Sequence, residues 1–242
     1  RVSLFAYQQP DLPALFEAWA GGDREVLVLV PESRVLGDVC RALGRERLQA
    51  GDRVQRGALV TQVLPFTDQA GYDELLWACD LNFVRGEDSL VRALWAGRPF
   101  VWQIYPQDDG AHHAKLDAFL DWLDAPASLR RFHHAWNGLA DPGGARWPGP
   151  DELDAWGACA LTARQRLFAP AQVDGPADVG ADLGTGDGDA QRLRDLAHAD
   201  AKRLGHRLHH IVDRIGRPVR QVGEPRAHLR QRFTCGFLEM LR

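Results

Sequence analysis

Arg85, Gly86, Glu87, Asp88 and Ser89 place a guanidinium, a hinge, two carboxylates and a hydroxyl side by side in "FVRGEDSLVRALWAGRPFVWQIYPQ" (83–107). An arginine fork matches phosphate oxygens, and a glycine lets the backbone approach a ligand closely. If Glu87, Asp88 and Ser89 open a helix, its free N–H groups and positive dipole end add to the attraction for an anion. A diphosphate fits such a turn. The same residues also suit an ordinary helix start, in which acids and a hydroxyl cap the first turn and the arginine pairs with them. Pattern alone does not separate the two. Two other short stretches bear on the choice, "FAY" with Phe5 and Tyr7 and "LPFTDQ" with Phe66 and Gln69. Aromatic faces with one amide suit a nucleobase, although each residue taken singly also suits a core.

The elements that would carry these residues alternate along the chain. "RVSLFAY" and "EVLVLV" are apolar runs of strand length, and further strands are expected near 58–64, in "DLNFVR" and in "RPFVWQIY". Helices should lie between them: one after Asp11 as N-cap with Pro13 in its first turn, one capped by Ser33, one opened by Thr67, and one over Ser89 to Ala96. "HHAKLDAFLDWLD" adds another, and residues 128–168 read as helices joined by a Pro/Gly-rich link. Five strands alternating with helices imply right-handed crossovers and a parallel sheet covered on both faces, an α/β Rossmann-like architecture. In such sheets ligands bind beyond the carboxyl ends of the strands, which is where Tyr7, Phe66 and Arg85 fall.

Composition divides the chain. All eight Trp and all three Tyr lie at or before Trp156. The net charge of −4 conceals a basic tail, since residues 191–242 hold 12 Lys/Arg against 5 Asp/Glu. The expected domains are residues 1–168, a Rossmann-like unit with C-terminal helices, and residues 169–242, a Gly/Asp-rich linker and basic tail, disordered or frameshifted. Cys40, Cys79, Cys159 and Cys235 are scattered singly and read as reduced thiols. With no apolar run near the roughly 20 residues of a membrane span and no signal pattern, a cytoplasmic protein is expected. The chain opens at Arg1 on a strand, so an upstream segment is also expected.

"LPFTDQAGYDELLWACDLNFVRGEDSLVRALWAGRPFVWQIYPQDDGAHHAKLDAFLD" strongly resembles the EarP-type protein-arginine rhamnosyltransferases, which modify bacterial elongation factor P. The likeness is dense to about residue 125, weaker to about 168 and absent beyond. It implies the two-domain GT-B architecture, of which this chain would be the C-terminal, donor-binding half. It further implies that Phe5, Tyr7, Phe66 and Gln69 hold the thymidine of dTDP-rhamnose, and that Arg85 to Ser89 hold the diphosphate, ribose and sugar. Glu87 would be catalytic, orienting donor and reacting centre, with Tyr105 and Gln107 lining the cleft. The family reaction is inverting, with an acceptor arginine of elongation factor P as nucleophile and its base supplied by the N-terminal half. No cofactor is implied beyond dTDP-rhamnose as donor, and the layout requires no metal.

Rival readings come from other residues. A donor half that binds dTDP-rhamnose without transferring it is the main alternative. "DLGTGDGD" (182–189) is similar to the S-adenosylmethionine loop of methyltransferases, but no strand precedes it. Asp187 and Asp189 form a DxD that suits a solvated turn. The basic tail with His198, His206, His209, His210 and His228 suits a nucleic-acid arm, although no aromatic residue interleaves before Phe233. His112 and His113, adjacent on a helix, diverge and read as surface or half-buried histidines rather than metal ligands.

Overall fold

The computed structural model describes residues 1–107, 110–139 and 146–168, and the compact unit treated below runs over Arg1–Arg166. The expectations for residues 169–242 fall outside the described residues.

The apolar runs become strands β1 (Val2–Leu4), β2 (Val26–Pro31), β4 (Leu59–Leu64), β5 (Leu81–Arg85) and β6 (Phe100–Gln103). A further strand, β3 (Arg53–Arg56), was not expected; it is a polar edge strand that turns back antiparallel on β4. The sheet order is β3-β4-β2-β1-β5-β6, parallel throughout except for β3. Helices α1 (Leu12–Ala20) and α2 (Leu36–Ala42) connect strands that step away from β1 in one direction. After α3 (Gln69–Ala78) carries the chain back across, α4 (Gly86–Ala96) steps in the other. Right-handed crossovers of opposite direction put these helix pairs on opposite faces, and α1 contacts α2 as α3 contacts α4. The reversal makes the gap between β1 and β5 the topological switch point.

Local chemistry adjusts the expected helix starts. Asp11 occupies the N-cap of α1 but makes no side-chain cap bond. Ser33 does not cap α2: its N-cap is Val35, and the Ser33 carbonyl instead accepts the Leu36 N–H. Asp68 rather than Thr67 caps α3, its carboxylate accepting the Gly71 N–H, because the more acidic neighbour is the better acceptor for the orphan amide. Helix α4 starts at Gly86, three residues ahead of the expected Ser89, and ends at Gly97, whose φ of 63° takes the left-handed closure that glycine favours.

Helices α5 (Ala111–Leu123), α6 (Ala127–Trp136) and α7 (Pro150–Phe168) follow β6. Trp19, Phe83, Phe132 and Trp136 form one aromatic core, with Phe83 and Trp136 ring centroids 4.5 Å apart. Burying each such ring contributes about 2–3 kcal/mol. The other end of the sheet is finished by side chains. On the free edge of β6, His133 Nε2 accepts the Trp102 N–H at 3.0 Å, and Asn137 Oδ1 accepts the Ile104 N–H at 2.9 Å. Asn137 also donates to the Trp102 carbonyl at 2.9 Å. One helix face thus does the work of a missing strand.

Candidate functional site

Tyr7, Arg85 and Tyr105 belong to the ends of β1, β5 and β6, three neighbouring strands, so their side chains meet beyond one edge of the sheet. The Arg85 guanidinium lies over two rings, 4.5 Å from the Phe5 centroid and 4.7 Å from that of Tyr7. Such contacts hold a cation without neutralising it. The rings are themselves buttressed edge-on, Phe5 by Tyr72 at 5.4 Å and Tyr7 by Tyr105 at 5.6 Å. Arg85 forms no ion pair among the described residues, so its N–H groups remain available to an anion.

The turn after Arg85 is fixed from three directions. Ser89 Oγ accepts the Arg85 N–H at 3.0 Å and donates back to the Arg85 carbonyl, closing the first turn on itself. Gly86 has φ of 66°, and a Cβ there would meet the Tyr7 hydroxyl at 2.9 Å. Only glycine fits. Its carbonyl accepts the Trp102 indole N–H at 2.8 Å, and Trp102 is in turn gripped by His133 and Asn137. On the β1 side, Gln103 Oε1 accepts the Tyr7 N–H at 2.8 Å, while Gln103 donates to the Gln8 carbonyl at 3.2 Å. Trp102, Gln103, His133 and Asn137 were not singled out from sequence. Trp102 and Gln103 sit in the "FVWQIY" strand that was, but the role of His133 and Asn137 depends on β6 being an edge.

Glu87 and Asp88 form the acidic first turn of α4 and both are exposed. The Glu87 carboxyl keeps a path to water, yet enough protein surrounds it that burial raises its pKa. Lys115 on α5 opposes that rise and Asp88 adds to it. The Tyr7 phenol is likewise raised, first by burial, with Arg85 pulling it down, Tyr105 pushing it up, Arg34 pulling down and Glu87 pushing up. Burial also pushes the Tyr72 phenol up.

Phe66 and Gln69 lie at the β4 exit, both exposed, Phe66 to 81%. No ring contact or hydrogen bond ties either to the Arg85 cluster among the described residues. Tyr105 joins the cluster through Tyr7, while Gln107 stands further along the same loop, its N–H donated to His112 Nδ1 at 3.1 Å. His112 is buried and His113 half-buried. Among the described residues no group of three or more His, Cys, Asp or Glu side chains is placed to hold a metal ion. Cys40, Cys79 and Cys159 are free. No helix among the described residues is long and apolar enough to cross a membrane.

A parallel sheet in this strand order, with its polar residues gathered at the switch-point exits, is a Rossmann-like α/β domain. The chain belongs to the Elongation-Factor P (EF-P) rhamnosyltransferase EarP family, which it matches over residues 1–174. It is 49% identical over 162 residues to the protein-arginine rhamnosyltransferase of Pseudomonas aeruginosa, covering 64% of this chain and 43% of that protein. The Pseudomonas putida protein of the same name is 45% identical over 170 residues, covering 65% and 45%. A solved structure described as the structural basis for EarP-mediated arginine glycosylation of translation elongation factor EF-P is 39% identical, with a TM-score of 0.60. That match covers 68% of this chain and 54% of the other. The chain spans about half the length of the relatives it matches.

Proposed function

We propose that this chain is the donor-binding part of a protein-arginine rhamnosyltransferase of GT-B architecture, binding dTDP-rhamnose for transfer to an arginine of elongation factor P. The observation that carries the reading is Arg85, held on the Phe5 and Tyr7 rings beside the α4 N-terminus with no carboxylate partner among the described residues. In this reading the diphosphate takes the Arg85 fork and the first amides of α4, while Asp88 and Ser89 finish the pocket toward ribose and sugar. Phe66 and Gln69 take the thymine, where a ring 81% exposed gains cover. Because Arg85 covers Phe5 and Tyr7, their part is to orient that cation as much as to meet the nucleoside. Tyr105 and Gln107 line the approach.

The chemistry follows as an inverting displacement. A guanidinium nitrogen of the acceptor forms the new bond to the anomeric carbon as the bond to the diphosphate oxygen breaks, and dTDP departs with the electron pair. Arg85 and the α4 amides stabilise the charge that develops on it. Arginine is a poor nucleophile while protonated, so a carboxylate must orient it and take its proton. Glu87 orients donor and acceptor, and the base comes from the other half of the longer relatives. No cofactor takes part.

A second reading is that this chain alone binds the donor and transfers nothing. It is supported by the match itself, which covers 43% and 45% of the two Pseudomonas relatives. Titration with dTDP-rhamnose, with UDP-glucose as control, tests the binding shared by both. Mass spectrometry of elongation factor P, with and without the N-terminal half added in trans, then separates them. A rhamnose-sized gain only on complementation supports the non-transferring reading; failure to bind dTDP-rhamnose defeats both.

A further inference from the structure

The β2 exit brings a second cation to the same edge of the sheet. In the sheet order β2 lies on one side of β1 and β5 on the other, so the segments leaving β2 and β5 flank the one that carries Tyr7. After Pro31 the Glu32 N–H still donates to the Leu64 carbonyl at 3.1 Å, and the Ser33 carbonyl accepts the Leu36 N–H at 3.1 Å. These two bonds and the fully buried Val35 fix the short loop between β2 and α2. Arg34, within that loop, is exposed. It has no ion-pair or hydrogen-bond partner among the described residues, unlike Arg41, Arg56, Arg92, Arg130 and Arg146, each of which meets a carboxylate. Its charge nevertheless reaches the Tyr7 phenol, and does so in the same sense as that of Arg85. The neighbouring Ser33 hydroxyl is buried without a hydrogen-bond partner.

Two arginines from the strand exits that flank the one carrying Tyr7, neither with a carboxylate partner among the described residues, suit a polyanion wider than a single phosphate. The Glu87 charge also reaches Tyr7, in the opposite sense, while the Lys115 charge acts on Glu87. We propose that Arg34 is a second cationic contact for the diphosphate of the nucleotide donor, across Tyr7 from Arg85. The inference rests on the donor-binding reading and adds a residue to it.

Arg34 is exposed and ties no elements together, so its removal leaves the fold intact and the test is direct. The full chain, its Arg34→Ala variant and its Arg34→Lys variant are titrated calorimetrically with dTDP at two salt concentrations, and with thymidine by NMR shift. The expected result is that Arg34→Ala weakens dTDP binding about tenfold and flattens its salt dependence, leaves thymidine affinity unchanged, and is partly rescued by Arg34→Lys. Wild-type-like dTDP binding by Arg34→Ala overturns the inference and leaves the donor-binding reading standing. Equal losses for thymidine and dTDP overturn it too, since they place Arg34 at the nucleoside. A wild-type chain that binds no dTDP removes both.

Discussion

Arg85 and Arg92 are seven residues apart, at the start and in the body of one helix, and the protein treats them in opposite ways. Arg92 is only 10% exposed at its side chain and reaches both oxygens of Asp73, at 2.7 and 2.8 Å, joining α4 to α3. Arg85 lies on two aromatic faces, with no carboxylate partner among the described residues. A carboxylate uses up the donors of a guanidinium; an aromatic face fixes its position and leaves the donors free. The first arrangement fastens two helices, and the second keeps a charge in reserve for something that arrives from solvent.

That contrast is most severely tested from its structural side. Arg92→Ala leaves Asp73 half-buried and unpaired, which should cost about 3 kcal/mol of stability. Urea unfolding measures it; a loss below about 1 kcal/mol would mean the pair is no more than a surface contact. The folded fraction should still bind dTDP.

A nearly equal effect is expected from pH through His133. This side chain is fully buried, donates its Nδ1–H to the Leu129 carbonyl at 3.0 Å and accepts at Nε2, and burial lowers its pKa to about 4. The unfolded chain takes up the proton near pH 6.5 while the folded chain resists it until about 4. Stability from this group is therefore complete above 6.5 and declines as pH falls through that window, by about 3 kcal/mol in all. Denaturation at pH 7.5, 6 and 5 should show the decline in the wild type and a shallower one in His133→Gln. Parallel curves would assign the pH dependence elsewhere.

Arg85→Ala is the functional counterpart of the Arg92 variant. It should reduce dTDP affinity by a factor of about 10 to 100, the worth of charge-assisted hydrogen bonds, with little change in melting temperature. A large stability loss with intact binding would invert the comparison drawn above. Trp102→Phe should do less, leaving the Gly86 carbonyl without its donor and loosening the turn, for a loss in affinity of about tenfold or below. The smallest change is expected from Lys115→Gln. Losing the cation that lowers the Glu87 pKa should let that carboxyl titrate at higher pH, which carboxyl NMR shifts would register.

How much of this was readable from sequence depended on whether a residue's surroundings lie close along the chain. The β5 to α4 turn could be read because strand, glycine and acidic helix start follow one another within a few residues. The five apolar strands were legible for the same reason. The β3 edge strand was not, since "RVQR" buries no side chain fully and acquires its structure only from pairing with β4. His133 and Asn137 looked like ordinary polar residues on a helix, because nothing local says that the strand they face lacks a neighbour. The expectation that Phe5 and Tyr7 offer open faces did not foresee Arg85 folding back onto them from 80 residues away.

The finish that α6 gives to β6 also bears on how molecules of this kind stay apart. An open strand edge is a template for other chains, and sheets that leave one bare risk growing by addition. Here His133 and Asn137 occupy the backbone groups at one end, while the other end is a short strand carrying Arg53 and Arg56, whose charge discourages pairing with a second copy. With both ends of the described sheet guarded in this way, its edges offer a second copy little to extend.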